Sequence, residues 1–205
     1  MKTVLLSTAY LPPLHYFYYL LNAEKIIIET QEHFVKQTYR NRCEILSANG
    51  KLSLSIPLLK SADKTLISKK QISYSENWQK VHWRAITSAY KNTPYFEYFE
   101  NDFKPFYENK FEFLFDYNLQ LTQTIFKILR KKKEISFTKT FEKETGLFDL
   151  RETVHPKNNS IKIEALVVPY RQAFSDKLGF TKNLSVIDLL FNKGLETKDF
   201  LAVKQ

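Results

Sequence analysis

The sequence is poor in glycine, cysteine, methionine and arginine. Among 205 residues there are 4 glycines, one cysteine and one methionine. So few glycines leave little material for a glycine-rich phosphate loop. The single cysteine, Cys43, excludes an intrachain disulfide framework, and the 4 histidines show no metal spacing such as H-E-x-x-H. No cofactor motif emerges, and a reducing compartment fits. Long apolar runs are also missing. The best, Leu14 to Ile28, is interrupted by Asn22, Glu24 and Lys25, whereas a membrane span needs about 20 apolar residues. The opening MKTVLLSTAYLPP does not read as a secretion signal. Only Val4-Leu5-Leu6 precede Ser7-Thr8, and Pro12-Pro13 then interrupt any helix. The expectation is a cytoplasmic protein that begins with a strand.

Only six of the 31 basic residues are arginines: Arg40, Arg42, Arg84, Arg130, Arg151 and Arg171. A net charge of +9 admits nucleic acid, anionic lipid or an acidic small molecule as partner. Nucleic-acid faces concentrate arginines for bidentate contacts. The lysine bias therefore reads as a general surface property, and nucleic acid is the disfavoured partner.

What the chain does have is apolar mass. Hydrophobic residues make up 43% and aromatics 15%, enough for one sizeable core in a single domain spanning 1–205. Thr3–Ser7 reads as a buried strand, Thr8–Pro13 as a loop, Leu14–Asn22 as a short helix and Lys25–Glu29 as a second strand. That order is a βαβ unit with a parallel pair, so the fold class is α/β. Ligands of such units collect beyond the carboxyl end of the first strand, which makes the Ser7–His15 loop a site candidate.

RCEILSANGKLSLSIPLL reads as a β-hairpin with Asn49-Gly50 in a type I′ turn. Ser47 then faces Leu52, Ile45 faces Leu54 and Cys43 faces Ile56, with Cys43, Ile45, Leu52, Leu54 and Ile56 on one apolar face. A helix-rich segment covers 75–131. In it Trp78, His82, Ile86 and Ala89 or Tyr90 form one helical stripe. A short aromatic helix is expected at Tyr95–Phe99. A long one follows over Phe111–Arg130, with Phe111, Leu114, Phe115, Asn118, Leu121, Ile125 and Leu129 inward. The Arg130–Lys133 run complements the negative helix end. SFTKTF and IKIEALVV read as strands. Ser185 and Asp188 fit an S-x-x-D cap for a short last helix, which Gly194 stops.

Three groups could carry chemistry. Tyr10, Pro12, Pro13 and His15 occupy the strand-end loop. A histidine at a helix N-terminus stays neutral and can act as base or donor, or it can simply pack the turn. Lys36, Arg40 and Arg42 alternate and so share a strand face suited to phosphate or carboxylate, or to nothing more than solvent. Asn41 points the other way, towards a buried backbone group. Trp78 and His82 lie on an apolar stripe, where a core histidine and a catalyst look alike. Cys43, on an apolar strand face, reads as inert.

Several segments together resemble the WbqC-like proteins, a bacterial family found in surface-polysaccharide gene clusters. They are YLPPLHYFYYL, YRNR, LSIPL, WQKVHWRAITSAYKNTPYFE, VPYRQAF and GFTKNLSVIDLLFNKG, in order along the chain. Around Thr8-Ala9 the family's first proline is replaced, and 135–160 is shorter and less typical. The resemblance implies a transferase role in O-antigen or related glycan assembly. It promotes His15, Asn41, Arg42, Trp78, His82, Tyr90, Pro94, Tyr170, Gln172, Asn183, Ser185 and Asp188. The combined expectation is a transferase acting on a phosphate- or nucleotide-bearing intermediate, an anionic small molecule. His15 or His82 would handle a proton, and Tyr10, Lys36, Arg40, Asn41, Arg42, Tyr90, Tyr170, Gln172, Asn183 and Ser185 would line the substrate. The alternative is a non-catalytic partner in a biosynthetic assembly, suggested by the aromatic-rich YKNTPYFEYFENDFKPFYE. Oligomeric state is open.

Overall fold

The computed structural model describes residues 3–60, 64–158, 166 and 168–202. Strand β1 (Thr3–Ser7), helix α1 (Leu14–Asn22) and strand β2 (Lys25–Glu29) form the βαβ unit within the boundaries expected. β1 and β2 pair in parallel, Val4 opposite Ile26 and Ser7 opposite Glu29. Two short strands complete the sheet. β5 (Ile135–Phe137) pairs with β2, and β6 (Phe148–Asp149) pairs with β1, both in parallel. The order is β5-β2-β1-β6. The chain thus moves outward from β1 to β2 to β5, then crosses back to the far side of β1. That reversal makes the carboxyl ends of β1 and β6 a topological switch point, the crevice where open α/β sheets take ligands.

Side-chain alternation gives the sheet two different faces. Val4, Leu6, Ile26 and Ile28 share the face packed by α1 and by α4 (Leu114–Ile128), where Phe17 meets Phe126 with ring centroids 5.4 Å apart. The opposite face carries Leu5, Ser7, Glu29 and Asp149, by the same register. α1 is buried from Leu14 through Leu20, so it is an interior helix, not an amphipathic one.

The hairpin pairs β3 (Arg42–Ser47) with β4 (Gly50–Ser55). Its register differs by two residues from the expected one: Ser47 faces Gly50, Ile45 faces Leu52 and Cys43 faces Leu54. The two-residue loop is Ala48-Asn49, and the only positive φ in this turn is at Gly50, at 102°. A type I turn followed by a left-handed glycine replaces the type I′ turn. A slip of two keeps the faces, so Cys43, Ile45, Leu54 and Ile56 are buried as expected, whereas Leu52, expected with them, is 38% exposed near the turn.

α2 (Trp78–Tyr90) buries the expected stripe of Trp78, His82, Ile86, Ala89 and Tyr90. The aromatic helix is longer than the sequence suggested. α3 runs from Phe96 to Glu108 straight through Pro105. Pro105 sits on the exposed face, so the backbone bond it forfeits falls where water replaces it. Phe96, Phe103, Phe106 and Tyr107 are buried, which absorbs most of the aromatic surplus, although Tyr98 remains 76% exposed. The stretch 31–41 is a loop, not a strand. Lys36, Arg40 and Arg42 therefore do not share a strand face. The strand expected at 161–168 lies largely outside the described residues.

Near the C-terminus, α5 (Val186–Lys193) is capped by the Ser185 side chain, which accepts from the Ile187 N–H. Asp188 does not close a capping box; its carboxylate turns to Tyr170 and Gln172 instead. Gly194 ends the helix at φ 58°. A Cβ there would lie 2.6 Å from the Tyr95 ring, so both backbone and space require glycine.

Candidate functional site

The carboxyl edge of the sheet is where the fold buries charge. β1 ends on Ser7 and β2 ends on Glu29, each the polar terminus of an apolar strand. Beyond them, Arg40 grips Glu32 with two parallel bonds, Nε to Oε1 at 2.8 Å and Nη2 to Oε2 at 2.6 Å. Its Nη2 also donates to Ser7 Oγ at 2.9 Å, and Ser7 Oγ donates to Glu32 Oε2 at 3.1 Å. Arg151 follows directly from β6. Its Nη1 donates to Glu29 Oε2 at 2.8 Å, its Nη2 to Asp149 Oδ2 at 2.6 Å and to the Glu142 carbonyl at 2.7 Å. Hydrogen bonds to Asp149, opposed by burial and aided by Glu29, raise the pKa of this guanidinium. Both arginines are buried, at 4% and 5% exposure. The second oxygen of Glu29 accepts from the Thr138 hydroxyl at 2.6 Å and the Gln31 N–H at 2.7 Å. Each carboxylate is thus paired and hydrogen-bonded, the condition under which buried charges persist.

Between the two arginines lies a hollow of about 10 Å³, room for one water, lined also by Ser7, Thr8, Tyr16 and Tyr39. The hollow sits at the switch point between β1 and β6. Arg40 uses Nε and Nη2 in its bonds; Nη1 has no hydrogen-bond partner among the described residues. On the other side of Thr8 and Ala9 lies a second hollow of the same size, reached by Asn118. Asn118 donates to Thr8 Oγ1 and to the Arg40 carbonyl, while its own Oδ1 is buried without a partner.

The β1–α1 loop leads away from this edge. Leu11 holds a left-handed backbone at φ 37° while fully buried, a strained conformation for a branched residue. Tyr10 then enters a neutral network beneath the hairpin. Its hydroxyl lies 3.0 Å from His82 Nδ1 and 3.0 Å from the Tyr107 hydroxyl. Tyr107, Tyr10 and His82 thus form one buried chain of neutral groups, the imidazole able to accept at one nitrogen and donate at the other. Burial lowers the His82 pKa to about 4, the Ser55 backbone opposing it.

His15 is tied to the far C-terminal segment. The Leu14 N–H donates to the Leu184 carbonyl, and the His15 N–H to Asn183 Oδ1 at 3.2 Å. The first donors of α1 are therefore used within the protein. The backbone N–H can only donate, so the Asn183 atom is oxygen, and His15 Nδ1, 2.6 Å from the same atom, must carry the proton. Nε2 keeps the lone pair. Burial lowers this histidine also to about 4, with the Asn183 bond acting the other way.

The remaining sequence candidates scatter. Lys36 is exposed. Arg42 bonds Ser55 on the hairpin surface. Asn41 donates to the Ile56 carbonyl, tying β3 to the end of β4. Tyr90, Tyr170, Gln172 and Asp188 form their own buried cluster at the base of α5: the Tyr170 hydroxyl and Gln172 Nε2 both bond the Asp188 carboxylate, and the Tyr90 hydroxyl accepts the Leu46 N–H. Burial lifts the Asp188 pKa to about 6 against the bonds from Tyr170, Tyr90 and Gln172. Of the candidates, then, the structure brings Arg40 to the sheet edge, Tyr10 and His82 to one network, and His15 and Asn183 to another. Sequence reading missed Glu29, Glu32, Asn118, Thr138, Asp149 and Arg151. Glu29 had a signal, since a lone acid closing KIIIE stands at a strand's carboxyl end. Arg151 had none.

Comparison with known proteins gives a consistent picture. The chain is similar to an uncharacterized protein of Mycobacterium tuberculosis, 21% identical over 226 aligned positions that cover 98% of this chain and 97% of that one. No solved structure matches. Residues 8–158 match the model of the WbqC-like protein family, a span that holds the strand-end loop, the Arg40–Glu32 pair, the hairpin, the three long helices and Arg151. With that much of its length matched, the chain belongs to the WbqC-like protein family.

Proposed function

We propose that the protein is a transferase whose substrate is a phosphate- or nucleotide-bearing intermediate of glycan assembly, held at the carboxyl edge of the parallel sheet. One observation carries this reading: the switch point between β1 and β6 coincides with a hollow flanked by two buried arginines, one of which has an uncommitted guanidinium nitrogen. Guanidinium is the side chain suited to bidentate recognition of phosphate oxygens. A phosphate is larger than this hollow, so it would sit at the mouth and recruit Arg40 Nη1, with the carboxylate pairs fixing the guanidinium planes. Proton handling is assigned to His15, whose Nε2 is held as acceptor by the Asn183 bond at Nδ1. His82 steadies the loop through Tyr10. In the transfer, the acceptor hydroxyl oxygen would attack the sugar carbon that bears the phosphate and pass its proton to His15, which packs edge-on against Tyr39 at the rim of the hollow, while the bond from that carbon to the phosphate oxygen breaks and the leaving group departs with the bonding pair beside Arg40.

Thermal-shift titration with nucleoside diphosphate sugars and simpler sugar phosphates tests the reading. At least one should raise the melting temperature, and Arg40→Lys, which keeps the charge but loses the fork, should abolish that rise. A panel in which no phosphate-bearing compound shifts the wild type overturns it.

A further inference from the structure

The opposite end of the sheet carries a different feature. α4 ends at Ile128, and the next turn is Leu129-Arg130-Lys131. The Arg130 N–H bonds the Lys127 carbonyl, and the Lys131 N–H reaches back to the Phe126 carbonyl. This is a Schellman close, whose left-handed position is normally glycine. Here it is Arg130, at φ 54°. A branched-Cβ-free but bulky residue is held where glycine would be unstrained, and the turn projects a cation there. Lys127, Arg130, Lys131 and Lys132 are all exposed, and among the described residues none of them forms a salt bridge. Lys133 anchors the group by donating to the Ala23 carbonyl at 2.6 Å, at the end of α1. Together with Gln123, Phe126 and the carboxylate of Glu134 these residues line an open groove of about 830 Å³, in which the cations outnumber the acid five to one. Lys25, which begins β2, is exposed beside the neighbouring strand β5, so the same end gains a further cation.

We infer that this amino-terminal end of the sheet is a docking surface for an anionic phospholipid bilayer, the groove receiving lipid phosphates. Charge complementarity identifies the occupant. Groups of four to eight basic residues on an amphipathic helix are one sequence-readable form of anionic-lipid recognition, and this group closes α4, which buries Phe126 and Ile128 while exposing Lys127. Lysines dominate, and a lipid surface is a plane of point charges that asks for no fork geometry, whereas base and phosphate readout in nucleic acid favours arginine. The surface lies at the opposite end of the sheet from the Arg40–Arg151 hollow, so docking leaves that edge open. The inference does not depend on the proposed transfer activity.

Sedimentation with phosphatidylcholine vesicles, with and without phosphatidylglycerol, tests it. The wild type should bind the anionic vesicles only, and less at high salt. Each cation near such a surface contributes roughly fivefold in partition, so Lys127→Gln, Lys131→Gln and Lys132→Gln together should weaken binding about a hundredfold. Removing as many charges on the outer face of α2, with Lys80→Gln, Arg84→Gln and Lys91→Gln, should weaken it much less. Arg130→Gly separates the surface from the fold: it should raise the melting temperature by relieving the backbone and yet lower vesicle binding. Equal loss in the two triple variants, binding to neutral vesicles as strong as to anionic ones, or tighter cluster-dependent binding to duplex DNA at the same salt would each overturn the inference.

Discussion

The sheet's carboxyl edge and the network beneath the hairpin both bury polar groups at full packing, by opposite means. At the edge, Arg40 and Arg151 face Glu29, Glu32 and Asp149 in direct ion pairs. Beneath the hairpin, Tyr107, Tyr10 and His82 are joined by hydrogen bonds in a chain with no formal charge. The difference teaches where this fold tolerates electrostatic strain. Strand ends of a parallel sheet leave room for side chains to converge from several segments, so charges can be neutralised there. The space between α2, α3 and the hairpin is filled by Trp78, Phe106 and Tyr117 rings, which offer no counter-ion and accept only neutral donors and acceptors.

The largest expected effect lies at the charged edge. Arg40→Ala would leave Glu32 ionised and unpaired, costing about 3–5 kcal/mol of stability in urea unfolding. Arg40→Met combined with Glu32→Leu removes both charges and should recover most of that loss. If the double variant is no more stable than the single one, the edge is not held by charge balance and the contrast between the two regions collapses.

Acid titration should separate the regions next. In the unfolded chain His15 and His82 bind protons near pH 6.5, but in the folded protein only near pH 4. Their contribution is complete above pH 6.5 and is lost as pH falls to about 4. Asp188 runs the other way: the folded protein keeps its proton up to about pH 6, the unfolded chain only to 3.8. Between pH 4 and 6 the unfolded chain therefore binds one proton more than the folded one, and these three groups lower stability by about 1.4 kcal/mol per pH unit on acidification. Asp188→Asn removes the opposing group and should double that slope. An unchanged slope would mean that Asp188 is already ionised in the folded protein.

How much of this was visible in the sequence follows from how local each determinant is. The limits of β1, α1 and β2 were legible because apolar runs are cut by Pro12-Pro13 and by Asn22–Lys25. The α2 stripe was legible because His82 keeps its helical phase with Trp78 and Ile86. The hairpin's faces were legible but not its register, since a two-residue slip preserves the alternation and only the Gly50 backbone distinguishes the turns. Arg40 misled as part of an alternating trio: spacing in a loop mimics a strand, and its true partner, Glu32, lies eight residues upstream across that loop. Arg151 was beyond reach, because its role is created by a two-residue strand that pairs with β1 only after the whole chain has folded back.

The smallest of these effects is the most direct test of the neutral network. Tyr10→Phe keeps the ring, which lies 5.8 Å from His82 and 6.0 Å from Tyr117, and deletes one oxygen. Two partners then lose their bond at once, His82 Nδ1 and the Tyr107 hydroxyl. Stranding buried groups in this way should cost about 1–3 kcal/mol in urea unfolding. Tyr10→Phe combined with Tyr107→Phe removes the stranded hydroxyl as well, so it should be less destabilised than the sum of the two single variants. Additive losses would show that the tyrosines act separately, and the chain from Tyr107 to His82 would reduce to unrelated contacts. Sub-additive losses would show that the hairpin side is stabilised as one connected unit, while the charged edge is stabilised pair by pair.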